Sequence, residues 1–243
     1  MNKQRSTWTV LLAASAVWLF AGRCLTAEVL EKSMNVAGTT VQYKVVLPNN
    51  YDPGKAYPGV LAFGGGTQMM RTVESAIDRS WREEAERRGY IVVIPAAPNG
   101  ELFFEEGERI FPDFLDKFLH DYKILNNKLH IAGNSNGGLS AFHVAASHPG
   151  YFLSVTGFPG FLYDPTAARV RAISKMCINM HVGELDPDWL SEMEFQAKAF
   201  RANGLTVRFT VEKGQPHRID TLAGEGAKRL FNQFEEARQG CAK

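Results

Sequence analysis

Short apolar runs alternate with amphipathic stretches along most of this chain. The runs are rich in β-branched residues and end at glycine, proline or polar residues, which is typical of strands; they lie at 41–48, 59–66, 91–98, 128–133, 152–158, 177–183 and 206–212. Between them, apolar residues recur at helical spacing. This spacing predicts helices over 72–88, up to about 122, and over 136–147, 188–202 and 221–237. Strands that alternate with helices favour a mostly parallel sheet covered by helices on both faces.

The first 27 residues have a different pattern. A basic start precedes an uncharged apolar run, and Ala27 closes a short polar stretch. This order is typical of a secretory signal peptide, and the run is shorter than the roughly 20 residues of a membrane-spanning helix. We therefore predict a signal peptide over 1–27, a single folded domain over 28–243, and a secreted or periplasmic location. An uncleaved anchor is the alternative, because Leu25 is a mediocre residue near the proposed cleavage point.

Composition and charge exclude several classes of protein. The chain has 243 residues, of which 45% are hydrophobic and 22% charged, as in one ordinary globular domain. Its formal charge of +1 leaves no basic excess for nucleic acid. No Cys-x-x-Cys, His-Glu-x-x-His or EF-hand pattern occurs, so the sequence predicts no metal. After loss of Cys24, the remaining Cys177 and Cys241 are either a disulfide or two separate thiols.

The strongest chemical signal lies in the segment 128–150. Gly133, Ser135 and Gly137 form the pattern Gly-x-Ser-x-Gly between an apolar strand and an amphipathic helix. A serine on such a turn stands above the sheet at a helix N-terminus, where the N–H of Asn136 can point at developing negative charge. The pattern therefore predicts a nucleophilic serine, and a plain turn between strand and helix is the alternative.

A nucleophilic serine needs an acid and a base, which follow it along the chain in that order in this architecture. His217 is the only histidine after the acid candidates, and it lies on a predicted loop, so it is the predicted base. Asp186 is the favoured acid because Pro187 would fix its loop. Asp188 is the alternative acid, although it also suits a helix start.

A glycine-rich segment follows the predicted strand 59–66. The glycines at 64–66 let backbone amides approach a substrate oxygen, and Thr67 or Gln68 would donate a second N–H opposite Asn136. A glycine-rich turn without a ligand is the alternative. A nucleotide-binding loop is a poor interpretation, because neither Gly-Lys-Ser/Thr nor Gly-x-Gly-x-x-Gly occurs there.

Taken together, four segments resemble the α/β-hydrolase superfamily: YKVVLPNNYDPGKAYPGVLAFGGG, KLHIAGNSNGG, VGELDP and GQPHR. Within it, the chain is similar to small bacterial esterases without a cap, related to feruloyl esterases, acetyl xylan esterases and polyhydroxyalkanoate depolymerases. The resemblance implies an α/β-hydrolase fold with a central sheet of about eight strands and no large cap domain. It also implies residue roles: nucleophile Ser135, acid Asp186, base His217, and an oxyanion hole of Asn136 with Gly66 or Thr67. One position departs from the family, which commonly has a histidine where this chain has Phe63.

The resemblance further implies a carboxylic-ester hydrolase that works through an acyl-enzyme intermediate without a cofactor. Its substrate would be a small-molecule or polysaccharide-linked ester, with no nucleic-acid partner and no stable membrane insertion after signal cleavage. A serine peptidase on the same fold and a non-catalytic binding protein are the alternatives. Phe104, in an aromatic loop after the strand 91–98, and Trp189, beside the acid, are candidate pocket residues; core packing is the alternative for both.

Overall fold

The computed structural model describes residues 28–241 and contains one eight-stranded sheet with helices on both faces. The strands are β1 Val29–Val36, β2 Thr39–Val46, β3 Tyr57–Phe63, β4 Ile91–Pro95, β5 Ile124–Gly133, β6 Phe152–Gly157, β7 Cys177–Gly183 and β8 Val207–Glu212. The helices are α1 Met70–Ala76, α2 Arg82–Arg88, α3 Asp113–Asp121, α4 Asn136–Ser147, α5 Ala167–Ala172, α6 Pro187–Ala202 and α7 Lys228–Gln239. Within this part of the chain, no helix combines the length and apolarity that crossing a membrane requires. The predicted signal peptide lies outside the described residues.

The strand order in the sheet is β1-β2-β4-β3-β5-β6-β7-β8. β2 runs antiparallel to both of its neighbours, and every other neighbouring pair is parallel. The predicted mostly parallel sheet of about eight strands is confirmed. β1 has no counterpart in the sequence prediction, because it is an edge strand whose side chains are mostly half-buried or exposed and include Glu31 and Lys32.

Two apolar layers hold the helices against the sheet. Successive residues of β3 alternate between the layers, since Val60 and Ala62 belong to one and Leu61 and Phe63 to the other. Residues of α1, α2 and α7 pack in the first layer, and residues of α3, α4 and α6 pack in the second. Because β3 and β5 to β8 are parallel, their carboxyl ends meet at one edge of the sheet, where the loops with the predicted site residues begin.

The helix predicted over 72–88 contains a π-helical turn, Ile77–Trp81, between α1 and α2. Its apolar positions are spaced by four, whereas an α-helix has 3.6 residues per turn, so a regular helix would carry the later positions away from the core. The π-helical turn absorbs the extra rotation. Consequently Val73, Ile77, Trp81 and Ala85 are all buried.

Other predicted elements begin or end at different residues in the structure; β5 begins at Ile124 instead of 128, and β4 ends at Pro95 instead of 98. The helix predicted over 221–237 begins only at Lys228, after two 3-10 turns. Gly224 has a left-handed backbone (φ +53°), which an α-helix does not accept. The strand predicted over 59–66 ends at Phe63, so the three glycines form a loop rather than the end of the strand.

A disulfide joins Cys177 at the start of β7 to Cys241, with 5.2 Å between the Cα atoms. The structure thus favours the disulfide over the two separate thiols. It attaches the chain that follows α7 to β7, which lies next to the edge strand β8.

The buried histidine of β5 should make stability depend on pH. His130 is 1% exposed, and its Nδ1 lies 2.8 Å from the Ser154 hydroxyl oxygen. Burial, with a smaller contribution from Arg238, lowers the pKa of His130 to about 3. Between this pKa and the ordinary value of about 6.5, the unfolded chain binds a proton that the folded chain does not, so stability falls as the pH falls.

We expect this group to reduce the free energy of unfolding by about 3 kcal/mol between pH 7 and pH 4. Chemical denaturation of the wild type and His130→Asn across this range measures it, since asparagine keeps a polar atom near Ser154 without titrating. The variant should show a flatter profile, and His120→Asn, at an exposed position, should keep the wild-type slope. Parallel profiles for the wild type and His130→Asn would contradict the prediction.

Candidate active site

The turn between β5 and α4 holds Ser135 in an unusual backbone conformation, with φ +57° and ψ −127°. Such a conformation costs roughly 1–3 kcal/mol and persists only where the surroundings enforce it. Here the Ser135 N–H donates to the carbonyl of Pro159 at 2.8 Å, and its own carbonyl accepts from Leu139 N–H at 3.0 Å. These bonds fix the serine at the N-terminus of α4.

The glycines around Ser135 are required by close backbone approach. A Cβ at Gly133 would lie 2.1 Å from the carbonyl oxygen of Gly137, and a Cβ at Gly137 would lie 2.5 Å from those of Phe63 and Gly64. These distances are too short for any side chain. The glycines therefore let the end of β3 pack directly against the turn that carries the serine.

Three side chains from three loops form one chain of hydrogen bonds. His217 Nε2 lies 2.8 Å from Ser135 Oγ, and His217 Nδ1 lies 2.6 Å from Asp186 Oδ2. When Nδ1–H donates to the carboxylate, Nε2 is left as the acceptor for the serine hydroxyl. This arrangement can remove a proton from the serine and stabilise the positive charge that the imidazole then carries.

The two candidate acids occupy different places at the start of α6. Asp186 directly precedes the helix, but its side chain does not cap it and is bound to His217 instead. Asp188 lies in the first helical turn and is exposed, where its charge is favourable near the helix N-terminus. Of the two, the structure brings only Asp186 to the histidine.

A set of polar contacts that the sequence analysis missed holds the histidine loop. The backbone carbonyl of Gln215 accepts from Leu185 N–H at 2.9 Å, and its side-chain oxygen accepts from Asp220 N–H at 2.9 Å. The loop that carries His217 is therefore tied to the acid loop on one side and to its own continuation on the other. A glutamine in a turn cluster gives no sequence signal for this role.

Glu212, at the end of β8, stabilises the same loop through hydrogen bonds. Its carboxylate accepts from Arg229 at 2.7 Å and 2.8 Å, and from Thr221 Oγ1 at 3.0 Å. It also lies 2.9 Å from Nδ1 of the buried His181. Burial alone would raise the pKa of Glu212, but the hydrogen bonds from His181 and Arg229 lower it to about 2. The residue is thus a buried, ionised anchor, although a glutamate at a strand end is ordinarily exposed.

The glycine-rich loop is pinned to the nucleophile turn. Asn136 Nδ2 donates to the carbonyl of Gly66 at 2.9 Å, and Gly66 has a positive φ of 59°. The N–H of Asn136 lies in the first turn of α4 and needs no partner within the helix, so it is free to donate to a substrate oxygen. Gly66 lines the cleft beside Ser135, whereas Thr67 is an exposed residue on the same loop.

Gln68 has a structural position rather than the predicted donor position. Its N–H donates to the carbonyl of Gly65 at 3.3 Å, so it is not free for a substrate. Its fully buried side chain donates to Ser140 Oγ at 2.8 Å and accepts from Phe103 N–H at 3.2 Å. Gln68 therefore joins the glycine-rich loop, α4 and the aromatic loop.

The aromatic residues near the site divide into core and surface groups. Phe63 is buried against Phe103, with ring centroids 5.0 Å apart, so it fills core space. Trp189 packs edge-on against the ring of His217, with centroids 4.9 Å apart. Phe104 is half-buried and packs on the exposed Tyr163.

A cleft of about 280 Å³ opens beside Ser135 and His217. The glycine-rich loop, α1 and the π-helical turn form its walls. Among the described residues that line it, neither Phe104 nor Trp189 occurs. Trp189 thus contacts the histidine, and Phe104 belongs to a separate aromatic surface.

Comparison with known proteins gives matches at the level of structure. No protein-family model and no curated protein sequence matches the chain. A thermostable esterase superposes with a TM-score of 0.65 and 19% identity, over 87% of this chain and 61% of that one. A mutant feruloyl esterase module from Clostridium thermocellum, complexed with sinapinate, has a TM-score of 0.64 and 16% identity, over 79% of this chain and 82% of that one.

A dienelactone hydrolase from Anabaena variabilis superposes with a TM-score of 0.62 and 14% identity, over 90% of this chain and 100% of that one. The chain thus spans 61% of the length of the thermostable esterase and all of the dienelactone hydrolase. The strand order and these superpositions agree, and the chain has the α/β-hydrolase fold.

Proposed function

We propose that this protein is a serine hydrolase that cleaves carboxylic esters through an acyl-enzyme intermediate. The observation that carries the proposal is the hydrogen-bonded series Asp186, His217 and Ser135, with distances of 2.6 Å and 2.8 Å. The esterases among the structurally similar proteins support an ester as the substrate. The predicted signal peptide adds a secreted or periplasmic location to the proposal.

The proposed reaction has the two steps of acyl transfer, in which each of these residues has a role. In the first step, Ser135 Oγ attacks the ester carbonyl carbon while His217 Nε2 takes the hydroxyl proton. The oxyanion accepts hydrogen bonds from Asn136 N–H and from the loop of Gly66 and Thr67, and one such donor contributes about 10²–10³-fold to kcat. The alcohol leaves with the proton from His217. In the second step, water attacks the acyl-enzyme by the same route and releases the acid.

Covalent labelling tests the nucleophile directly. The full-length protein is treated with an activated fluorophosphonate, and intact mass and peptide mapping locate the adduct. We expect a single adduct on Ser135 that is absent in Ser135→Ala and forms much more slowly in His217→Ala. Ser147→Ala, at the exposed far end of α4, is the matched control and should label like the wild type.

Turnover distinguishes the reaction classes. We expect hydrolysis of p-nitrophenyl esters and none of a peptide p-nitroanilide. Preferential cleavage of the anilide would make the protein a peptidase on this fold. A folded protein that forms no adduct and cleaves neither substrate would contradict the proposal and favour a binding protein.

A further inference from the structure

The cleft beside Ser135 contains two guanidinium groups that the proposed reaction does not use. Arg79 lies in the π-helical turn, and Arg218 directly follows the base His217; both line the cleft. Two arginines beside a nucleophile are not needed for the attack on an ester or for the oxyanion. Their position in the cleft therefore indicates a role in ligand binding.

Arg79 is held in place while most of its donors stay available. Its Nη2 donates to the carbonyl of Ile219 at 3.0 Å and to Asp220 Oδ1 at 2.7 Å. Both partners lie on the histidine loop, so the guanidinium is fixed relative to His217. A guanidinium carries five N–H donors, and its side chain retains 22% exposure.

Arg218 is the more accessible cation. Its side chain is 72% exposed, and its Nε lies 3.6 Å from Asp220 Oδ1. Asp220 is thus shared between the two arginines and is itself 71% exposed. The two cations and this single carboxylate leave one net positive charge at the mouth of the cleft.

Among the described residues that line the cleft, none is acidic, and the Asp186 carboxylate is hydrogen-bonded to His217 Nδ1 without lining the cleft itself. The remaining lining residues, apart from His217, are glycine, alanine, serine, threonine and asparagine. The acidic residues of the neighbouring helix are bound elsewhere: Glu74 pairs with Lys44, and Asp78 pairs with Arg82. A single negative charge on a ligand would therefore match the cleft, and a planar carboxylate suits the donor geometry of arginine.

We propose that the preferred substrates are esters that carry a second, free carboxylate group, which Arg79 and Arg218 bind while the ester carbonyl lies at Ser135. This inference rests on the proposed ester hydrolysis. It assigns Arg79 and Arg218 to substrate selection and not to bond cleavage.

The test compares pairs of substrates that differ only in charge. Monoethyl esters of straight-chain C4 to C6 diacids are each measured beside the corresponding monoamide ethyl ester, which has nearly the same shape and no charge. Release of ethanol gives kcat/KM. We expect the acid-to-amide ratio of kcat/KM to be about tenfold for at least one chain length, the effect of one charge-assisted hydrogen bond at a partly exposed site.

Variants assign the preference to the arginines. The ratio should fall about tenfold in Arg218→Gln and in Arg79→Gln, and it should decrease with added salt. Arg171→Gln, at an exposed arginine of α5 that does not line the cleft, is the matched control and should keep the wild-type ratio. Arg218 is largely exposed, so its variant serves even where Arg79→Gln does not fold.

A ratio near one in the wild type, or an unchanged ratio in both cleft variants, would overturn the inference while leaving the hydrolase proposal intact. The hydrolase proposal is tested separately, since the absence of the fluorophosphonate adduct would contradict it. Should neither ester be hydrolysed, ligand-observed NMR with Ser135→Ala decides the question. Tighter binding of the acid than of the amide supports the arginine site, and equal binding overturns it.

Discussion

Asp186→Asn is expected to lower kcat for ester hydrolysis by about 10⁴-fold, while Asp188→Asn keeps kcat within about twofold of the wild type. Asp186 Oδ2 lies 2.6 Å from His217 Nδ1. An asparagine there can donate to Nδ1 and so favours the tautomer in which Nε2 carries the proton and cannot accept one from Ser135. Asp188 is exposed in the first turn of α6, and neutralising it removes only a helix-dipole interaction of about 0.3–1 kcal/mol.

Asp188→Asn is the matched control for Asp186→Asn, because the two residues are two positions apart at the start of the same helix. Steady-state kinetics with a p-nitrophenyl ester measures kcat, and circular dichroism checks that both variants are folded. Equal losses in both variants would mean that the substitutions act through the helix start. A loss confined to Asp188→Asn would assign the acid to that residue instead.

Gly183→Ala is expected to lower kcat by between about 10²- and 10⁴-fold in a protein that still folds. A Cβ at this position would lie 2.3 Å from the carbonyl oxygens of Gln215 and Pro216, which immediately precede His217. The histidine loop must therefore move away from the acid loop, and a displacement of about 1 Å costs on the order of 10²-fold in rate. The upper limit is the loss expected when the acid no longer orients the histidine.

Gly150→Ala is the matched control, because no heavy atom lies within 4 Å of a Cβ built there. It should keep the wild-type kcat and melting temperature. The rate of fluorophosphonate labelling should fall with kcat in Gly183→Ala, since both depend on the contact between His217 and Ser135. A wild-type kcat in folded Gly183→Ala would contradict this account of the loop.

The parallel core of the sheet could be predicted from the sequence because its strands are apolar on both faces. β4 and β7 are buried along their whole length, as is the second half of β5 from Leu129, and these segments lie close to their predicted positions. The first half of β5 was not predicted, because it contains the exposed Asn126 and Asn127. β1 could not be found in this way, because an edge strand with charged residues shows neither a continuous apolar run nor clear alternation. The π-helical turn could not be predicted either, because it results from packing against the core and not from the helix propensities of its residues.

The candidate site, too, could be predicted from the sequence only in part. Ser135, Asp186 and His217 were found because their order along the chain and the glycines beside the serine follow from the turn geometry. Gln68 was expected to present its N–H to the substrate, but that group closes the turn of its own loop. Glu212 and Arg79 depend on partners far away in sequence, so no local pattern could indicate them.

The disulfide separates the three candidate catalytic residues into two that lie within a covalent ring and one that lies outside it. Cys177 and Cys241, 64 positions apart, close a covalent ring that contains Asp186 and His217 and leaves Ser135 outside it. A backbone break anywhere between the two cysteines would therefore leave one covalent molecule until the bond is reduced. After such a break, the acid and the base therefore both stay covalently attached to the part of the chain that carries the nucleophile.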